Sequence, residues 1–171
     1  LTTENIVLIP RMVPLEKAQE FADYLKVKLA YTSISGSVLA GSLVSANSLG
    51  MMVSHAIREE ELAAIKMVFE GNITIMDSKK TAYGNLVLAN DKGAIVDPRF
   101  KETEIEKISK ALGVEVVPTE IAGLPYVGSL AVATNKGILA HPMLKDEERK
   151  ILETVLKVPV DVGTINCGVP Y

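Results

Sequence analysis

The chain has 171 residues, 48% of them hydrophobic, and a formal net charge of −3. That length holds one domain with a sizeable core or two very small ones, and the apolar content excludes a disordered chain. The acidic balance excludes a protein that coats nucleic acid, so any contact with RNA should be local.

In chain order, the first predicted elements are an apolar run in "NIVLIP", a helix over "LEKAQEFADYL" with Ala18, Phe21 and Leu25 inside, and a closing strand in "VKLAYTSI". The ten-residue phrase "GSLVSANSLG" follows, from Gly41 to Gly50. It reads as a strand that starts at glycine, then a tight turn in "ANSLG" whose Asn and Gly tolerate positive φ. A short apolar run "MMV" comes next. The helix "REEELAAIKMVF" places Leu62, Ile65 and Phe69 on one face, and "ITIM" closes the stretch as a strand. Acidic residues crowd the first helical turn, where they favour the helix dipole.

The same order then recurs. "GNLVLANDKG" begins at Gly84 and "GSLAVATNKG" at Gly128, 43 and 44 residues on. Their apolar runs are "AIV" and "ILA". Their helices are "KETEIEKISKALG", with Ile105, Ile108 and Leu112 on one face, and "KDEERKILETVL", with Leu152, Val155 and Leu156. Their closing strands are "VEVV" and "VPVDV". A finer echo matches "TSISGSVLAG" (Thr32–Gly41) to "TEIAGLPYVG" (Thr119–Gly128), glycine on glycine, and "TINCGVPY" repeats the start of it. The repeats predict a partial unit at 1–34, units at 35–79, 80–121 and 122–165, and the start of a fifth at 166–171. Such a unit cannot bury its own helix face and must pack on its neighbours. Closing the units into a ring removes the sticky edge strands of an open array. Both termini fall inside a unit, which reads as a piece of a longer chain.

These segments, in this order and spacing, resemble the archaeal branch of the translation initiation factor 6 family, the anti-association factors of the large ribosomal subunit. The resemblance covers nearly the whole chain. It implies an α/β fold of the pentein type, with strand–turn–strand–helix–strand units around a pseudo-fivefold axis, incomplete here. It also implies binding to the intersubunit side of the large subunit, near the sarcin–ricin loop of its rRNA and a basic ribosomal protein. There the factor would block premature joining of the small subunit and take part in large-subunit maturation. A cytoplasmic monomer is expected, with no cofactor, metal or membrane partner. Cys167 stands where the family pattern has arginine, and Ser54-His55 where it has proline.

Carried over position by position, the resemblance places subunit contacts at and just after the repeated glycine: Ser42, Tyr83 and Asn85, and Leu130, with Asp91 in the "NDKG" turn as a weaker candidate. Ser129 differs from Asn85 at the matching position and is equally free for function. The purely structural alternative has Tyr83 covering the hub and Asn85 capping a strand.

Other chemistries are poorly supplied. The pentein fold also carries deiminases and amidinotransferases with a nucleophilic Cys, but Cys167 matches the inert Ala122 and Ser35, and no His is placed to pair with it. His55 and His141 fall in loops of different units, and with one cysteine they make no metal spacing. The lone Cys167 also excludes an internal disulfide and fits a reducing compartment. The glycines serve strands and turns rather than a phosphate loop. "DSKK", Asp77–Lys80, reads as a solvated junction. The uncharged run from Leu29 to Ile57 is long enough to span a bilayer, but it is rich in Ser, Gly and Asn and contains one copy of the phrase, so it reads as a soluble segment. The N-terminus has no signal-peptide pattern.

Overall fold

In the computed structural model, which describes residues 1–164, the chain divides at the second repeated glycine: Leu1–Tyr83 forms one unit and Gly84 opens another. The first unit begins with β1 (Ile6–Ile9), α1 (Leu15–Leu25) and β2 (Lys28–Tyr31). β2 lies parallel to β1, Ile6 opposite Lys28, and α1 is the crossover that parallel neighbours need. Next come α2 (Ala40–Leu43), β3 (Ser45–Ala46), β4 (Gly50–Ser54), α3 (Glu59–Lys66) and β5 (Asn72–Met76). β4 pairs antiparallel with β3 and parallel with β5.

That order is written twice more. The first copy is α4 (Tyr83–Leu86), β6 (Val87–Ala89), β7 (Ala94–Val96), α5 (Glu102–Leu112) and β8 (Val116–Pro118). The second is α6 (Val127–Leu130), β9 (Ala131–Ala133), β10 (Ile138–Ala140), α7 (Asp146–Leu156) and β11 (Val160–Val162). Each copy carries its own three-stranded sheet, the central strand antiparallel to the first and parallel to the last.

The repeated glycine does not start a strand, as the phrase suggested. It lies inside a four-residue helical turn, and the strand begins three or four residues after the glycine. Four residues are too few to show a helical period, so in the sequence the apolar alternation of the strand runs on through them. The turn then hands its last carbonyl to the far strand: Asp97 N–H bonds Leu86 O, and His141 N–H bonds Leu130 O, each at 2.9 Å.

The hairpin turns are built differently from expectation as well. Among the described residues, none of Asn47–Gly50, Asn90–Gly93 or Thr134–Gly137 has positive φ. Each turn is closed by its first residue instead. Asn47 Oδ1 accepts the N–H groups of Leu49 and Gly50, and Asn90 Oδ1 those of Lys92 and Gly93. Thr134 Oγ1 accepts those of Lys136 and Gly137. Thr3 Oγ1 does the same for Asn5 and Ile6. The opening "TTENI" is therefore a fourth copy of the turn, which its spelling conceals.

Each unit has an aliphatic cluster at its core. Ile6, Leu8, Ile34, Val44, Met51, Val53 and Ile65 pack in the first unit with Phe69. In the second, Leu88 and Ile95 of the β6–β7 hairpin pack with Leu152, Val155 and Leu156 of α7. Thus α7 covers the hairpin of the repeat before its own. Helix α1 departs from the sequence reading here. Ala18 and Ala22 are its buried face, while Phe21 is 50% exposed and Leu25 lies on the surface. Counting back from the left-handed cap residues Lys26, Gly113 and Lys157, Phe21 and Leu25 match Ile108 and Leu112 of α5 and Leu152 and Leu156 of α7, all fully buried. Among the described residues α1 has no preceding hairpin laid against it. No helix of the described residues is long and apolar enough to cross a membrane.

Candidate functional site

Each sequence-predicted contact residue but one lies at the helical-turn end of its own hairpin. In the first unit, Ser42 is the third residue of α2 and half-buried. In α4, Asn85 holds the same place and is half-buried, and Ser129 holds it in α6 and is exposed. Leu130, last in α6, is half-buried. The second unit brings α4 and α6 together backbone to backbone. A Cβ on Gly128 would lie 2.1 Å from Gly84 O and 2.8 Å from Val87 O. Only glycine fits there, which explains one glycine of the phrase and sets Asn85 and Leu130 on adjoining turns.

Tyr83 is corrected. Its side chain is 0% exposed, so it packs inside rather than facing a partner. Asp91 is half-buried and lies at the opposite end of the β6–β7 hairpin from Asn85. There it is committed to a structural pair. Asn135 Nδ2 donates to Asp91 Oδ2 at 2.7 Å, and Asp91 N–H donates to Asn135 Oδ1 at 3.0 Å. Beside them, buried Asn90 donates its Nδ2 protons to Thr134 O and Leu156 O, at 3.1 and 2.9 Å. This end of the hairpin is a joint between repeats.

The structure adds residues that the sequence reading passed over. Two positions before the repeated glycine, Leu39 is 63% exposed in the first unit and Tyr126 47% exposed in the second. Arg99 lies over the Tyr126 ring, its guanidinium carbon 5.1 Å from the centroid. Fully buried Asp97 holds Arg99 in place. Arg99 Nη2 donates to Asp97 Oδ2 at 2.6 Å and Arg99 Nε to Asp97 Oδ1 at 3.0 Å. These bonds, followed by one with Tyr126, raise the Arg99 pKa above its ordinary value. Tyr126, one of five tyrosines in an aromatic-poor chain, was the available signal.

The residue at the end of the central strand, last in β4 and just past β7 and β10, plays one part in all three repeats. Ser54 Oγ, Asp97 Oδ1 and His141 Nδ1 accept the N–H two residues on, from Ala56, Arg99 and Met143. His141 thus closes a turn, and His55 is an exposed neighbour of the equivalent Ser54. No group of three His, Cys, Asp or Glu residues able to hold a metal occurs among the described residues. Cys167 lies outside them. Asp77–Lys80 forms the bend between β5 and α4.

Two buried glutamates brace this end. The two-residue turns Ser35-Gly36 and Ala122-Gly123 have positive φ at both positions, 53° and 73°, then 56° and 72°. In the first, Glu61 accepts the N–H groups of Ser35 (2.7 Å), Gly36 (2.8 Å) and Arg58 (3.0 Å). In the second, Glu148 accepts those of Ala122 (2.8 Å), Gly123 (3.0 Å) and Lys145 (3.0 Å). Burial alone would push the Glu61 pKa up. The bonds from Arg58, Gly36 and Ser35, with the Ser33 hydroxyl, outweigh it and hold the carboxyl below its ordinary range.

Comparison with known proteins follows the same lines. The eIF-6 family matches residues 1–171. Translation initiation factor 6 of Methanocaldococcus jannaschii is 42% identical over 98% of this chain and 76% of its own length. That of Pyrococcus abyssi is 40% identical over 100% of this chain and 78% of its own. Among solved structures, DDAH from Pseudomonas aeruginosa, a cysteine-to-serine mutant complexed with citrulline, superposes with a TM-score of 0.50. It covers 92% of this chain and 75% of that one at 13% identity, a likeness of fold alone. The fold is the pentein, and the chain belongs to the eIF-6 family.

Proposed function

We propose that this protein acts in translation initiation by binding the large ribosomal subunit on its intersubunit face, where it sterically prevents premature joining of the small subunit. A part in large-subunit maturation goes with that role, as does a place in the cytoplasm. The reading rests on membership of a family whose curated archaeal relatives are named translation initiation factors, not enzymes. The observation that carries it is the surface at the helical-turn end of the hairpins. In the first unit it offers exposed Leu39 beside small polar Ser42, and in the second unit, by itself, Tyr126 stacked with Arg99 beside Asn85 and Ser129. Tyr and Arg at the centre with a polar border is the make-up of a protein-binding surface.

The partners that suit it are a basic ribosomal protein, drawn by the chain's net charge of −3, and nearby sarcin–ricin loop rRNA. The test is sedimentation. The protein should migrate with large subunits, not small ones, and reduce the yield of joined ribosomes, with binding weakened by salt. Equal binding to both subunits, or to neither, overturns the reading.

A further inference from the structure

We propose that Glu61 and Glu148 are positioning residues of the docking surface: each clamps a strained two-residue turn that sets the direction of the loop entering α2 or α6. The inference rests on the ribosome-binding reading above.

The physical case starts from the turns. Ile34 and Ser37 exchange both backbone hydrogen bonds, as do Ile121 and Leu124, so each pair closes a two-residue loop. Positive φ at both central positions is the mark of a type I′ turn, which favours Asn-Gly. Here the first position holds Ser35 or Ala122. A non-glycine residue in this region costs roughly 1–2 kcal/mol. The turn therefore needs outside support, and the glutamate supplies it. Its carboxylate reaches both central N–H groups and also the N–H that precedes its own helix, so one buried side chain ties the loop to the helix start. Glu61 is 2% exposed and Glu148 7%, so these bonds are shielded from water. Three residues beyond the clamp stand Leu39 and Tyr126, the exposed apolar pair, and α2 and α6 begin just after them. The two copies agree in donors, acceptor and backbone angles. The sequence sign is an Ile-x-Gly loop paired with a Glu three residues after the residue that precedes the helix.

The clamp does not touch a partner. Its effect runs through the loop, so the test must separate loop geometry from charge and from folding. Glu148→Gln removes one acceptor oxygen and places an N–H₂ group against N–H donors. Glu147→Gln loses the same charge from an exposed first-turn position with no described bond. Gly123→Val strains the same loop directly and leaves α7 intact. Each full chain is measured for binding to large subunits, for amide exchange at Ala122 and Gly123, and for thermal stability. Glu148→Gln and Gly123→Val should each weaken binding at least tenfold and speed exchange at the turn, while Glu147→Gln binds as the parent does. If Glu148→Gln fails to fold, Gly123→Val decides. Faster exchange with unchanged binding overturns the positioning role and leaves the ribosomal reading standing. Equal weakening by Glu147→Gln assigns the effect to charge and also overturns it. A parent chain that binds no subunit sinks the ribosomal reading itself, and the role with it.

Discussion

Gly84 O and the Cα of Gly128 approach so closely that a side-chain carbon on Gly128 would stand 2.1 Å from that oxygen. The contact is backbone on backbone, so no flexible side chain can yield. Gly128→Ala should therefore cost roughly 1–3 kcal/mol through displacement of α6. Gly41→Ala, with nothing within 4 Å of the added carbon, should leave stability nearly unchanged. Urea midpoints of the two variants check the contrast between two copies of one phrase.

Tyr83 and Tyr126 should separate folding from docking. Tyr83→Ala removes a fully buried ring, and such losses cost about 3–5 kcal/mol. Tyr126→Ala removes an exposed ring stacked with Arg99 and should change stability by little more than about 0.5 kcal/mol while weakening subunit binding. Asn85→Ser and Ser42→Leu should behave as Tyr126→Ala does. Melting curves and co-sedimentation, run on the same samples, check all four. A stable Tyr126→Ala that binds as tightly as the parent would remove this surface from the interface.

Asn90 is buried and spends its whole side chain on the joint between repeats. Asn90→Ala leaves the N–H groups of Lys92 and Gly93 and the carbonyls of Thr134 and Leu156 without their partner. Each unsatisfied buried group costs about 1–3 kcal/mol, so a loss of several kcal/mol is expected. Asn90→Asp should be no milder, because a carboxylate oxygen would then face two carbonyl oxygens. Thr134→Ala, at the exposed end of the equivalent turn, should cost much less. Denaturant midpoints rank the three.

Glu61 should leave its sign on the acid limb of stability. Its folded pKa lies below the ordinary value of 4.5, so the unfolded chain binds its proton more readily. The carboxylate's contribution is thus complete above 4.5 and disappears as the pH falls below that toward the folded value. Glu61→Gln should be less stable than the parent at neutral pH, and its disadvantage should shrink in acid. Melting temperatures taken from pH 7 down to 3 test this. A disadvantage that stays constant over that span would mean that the charge at Glu61 is not what holds the turn.

Much of the molecule is decided locally and was legible in the residues. Helices α3, α5 and α7 follow from apolar spacing with acidic first turns, because a 3.6-residue period survives any environment that offers one apolar face. The strands β4, β7 and β10 follow from short apolar runs, and the repeat itself from a phrase written three times. What the sequence could not settle is what each face meets. Phe21 and Leu25 share the spacing of Leu152 and Leu156, yet only the latter are covered, because burial belongs to the neighbour and not to the helix. Tyr83 and Tyr126 are the same residue near the same glycine, one inside and one at the surface. Asp91 looks as free as any turn residue until Asn135, 44 positions away, is seen to hold it. Glu61 and Glu148 look like ordinary dipole-favouring acids, and only the tertiary fold brings Ser35-Gly36 and Ala122-Gly123 to their oxygens. Periodicity is a property of neighbours along the chain. Burial, hydrogen-bond partnership and close backbone approach join residues tens of positions apart, and the packing of one repeat against the next decides them.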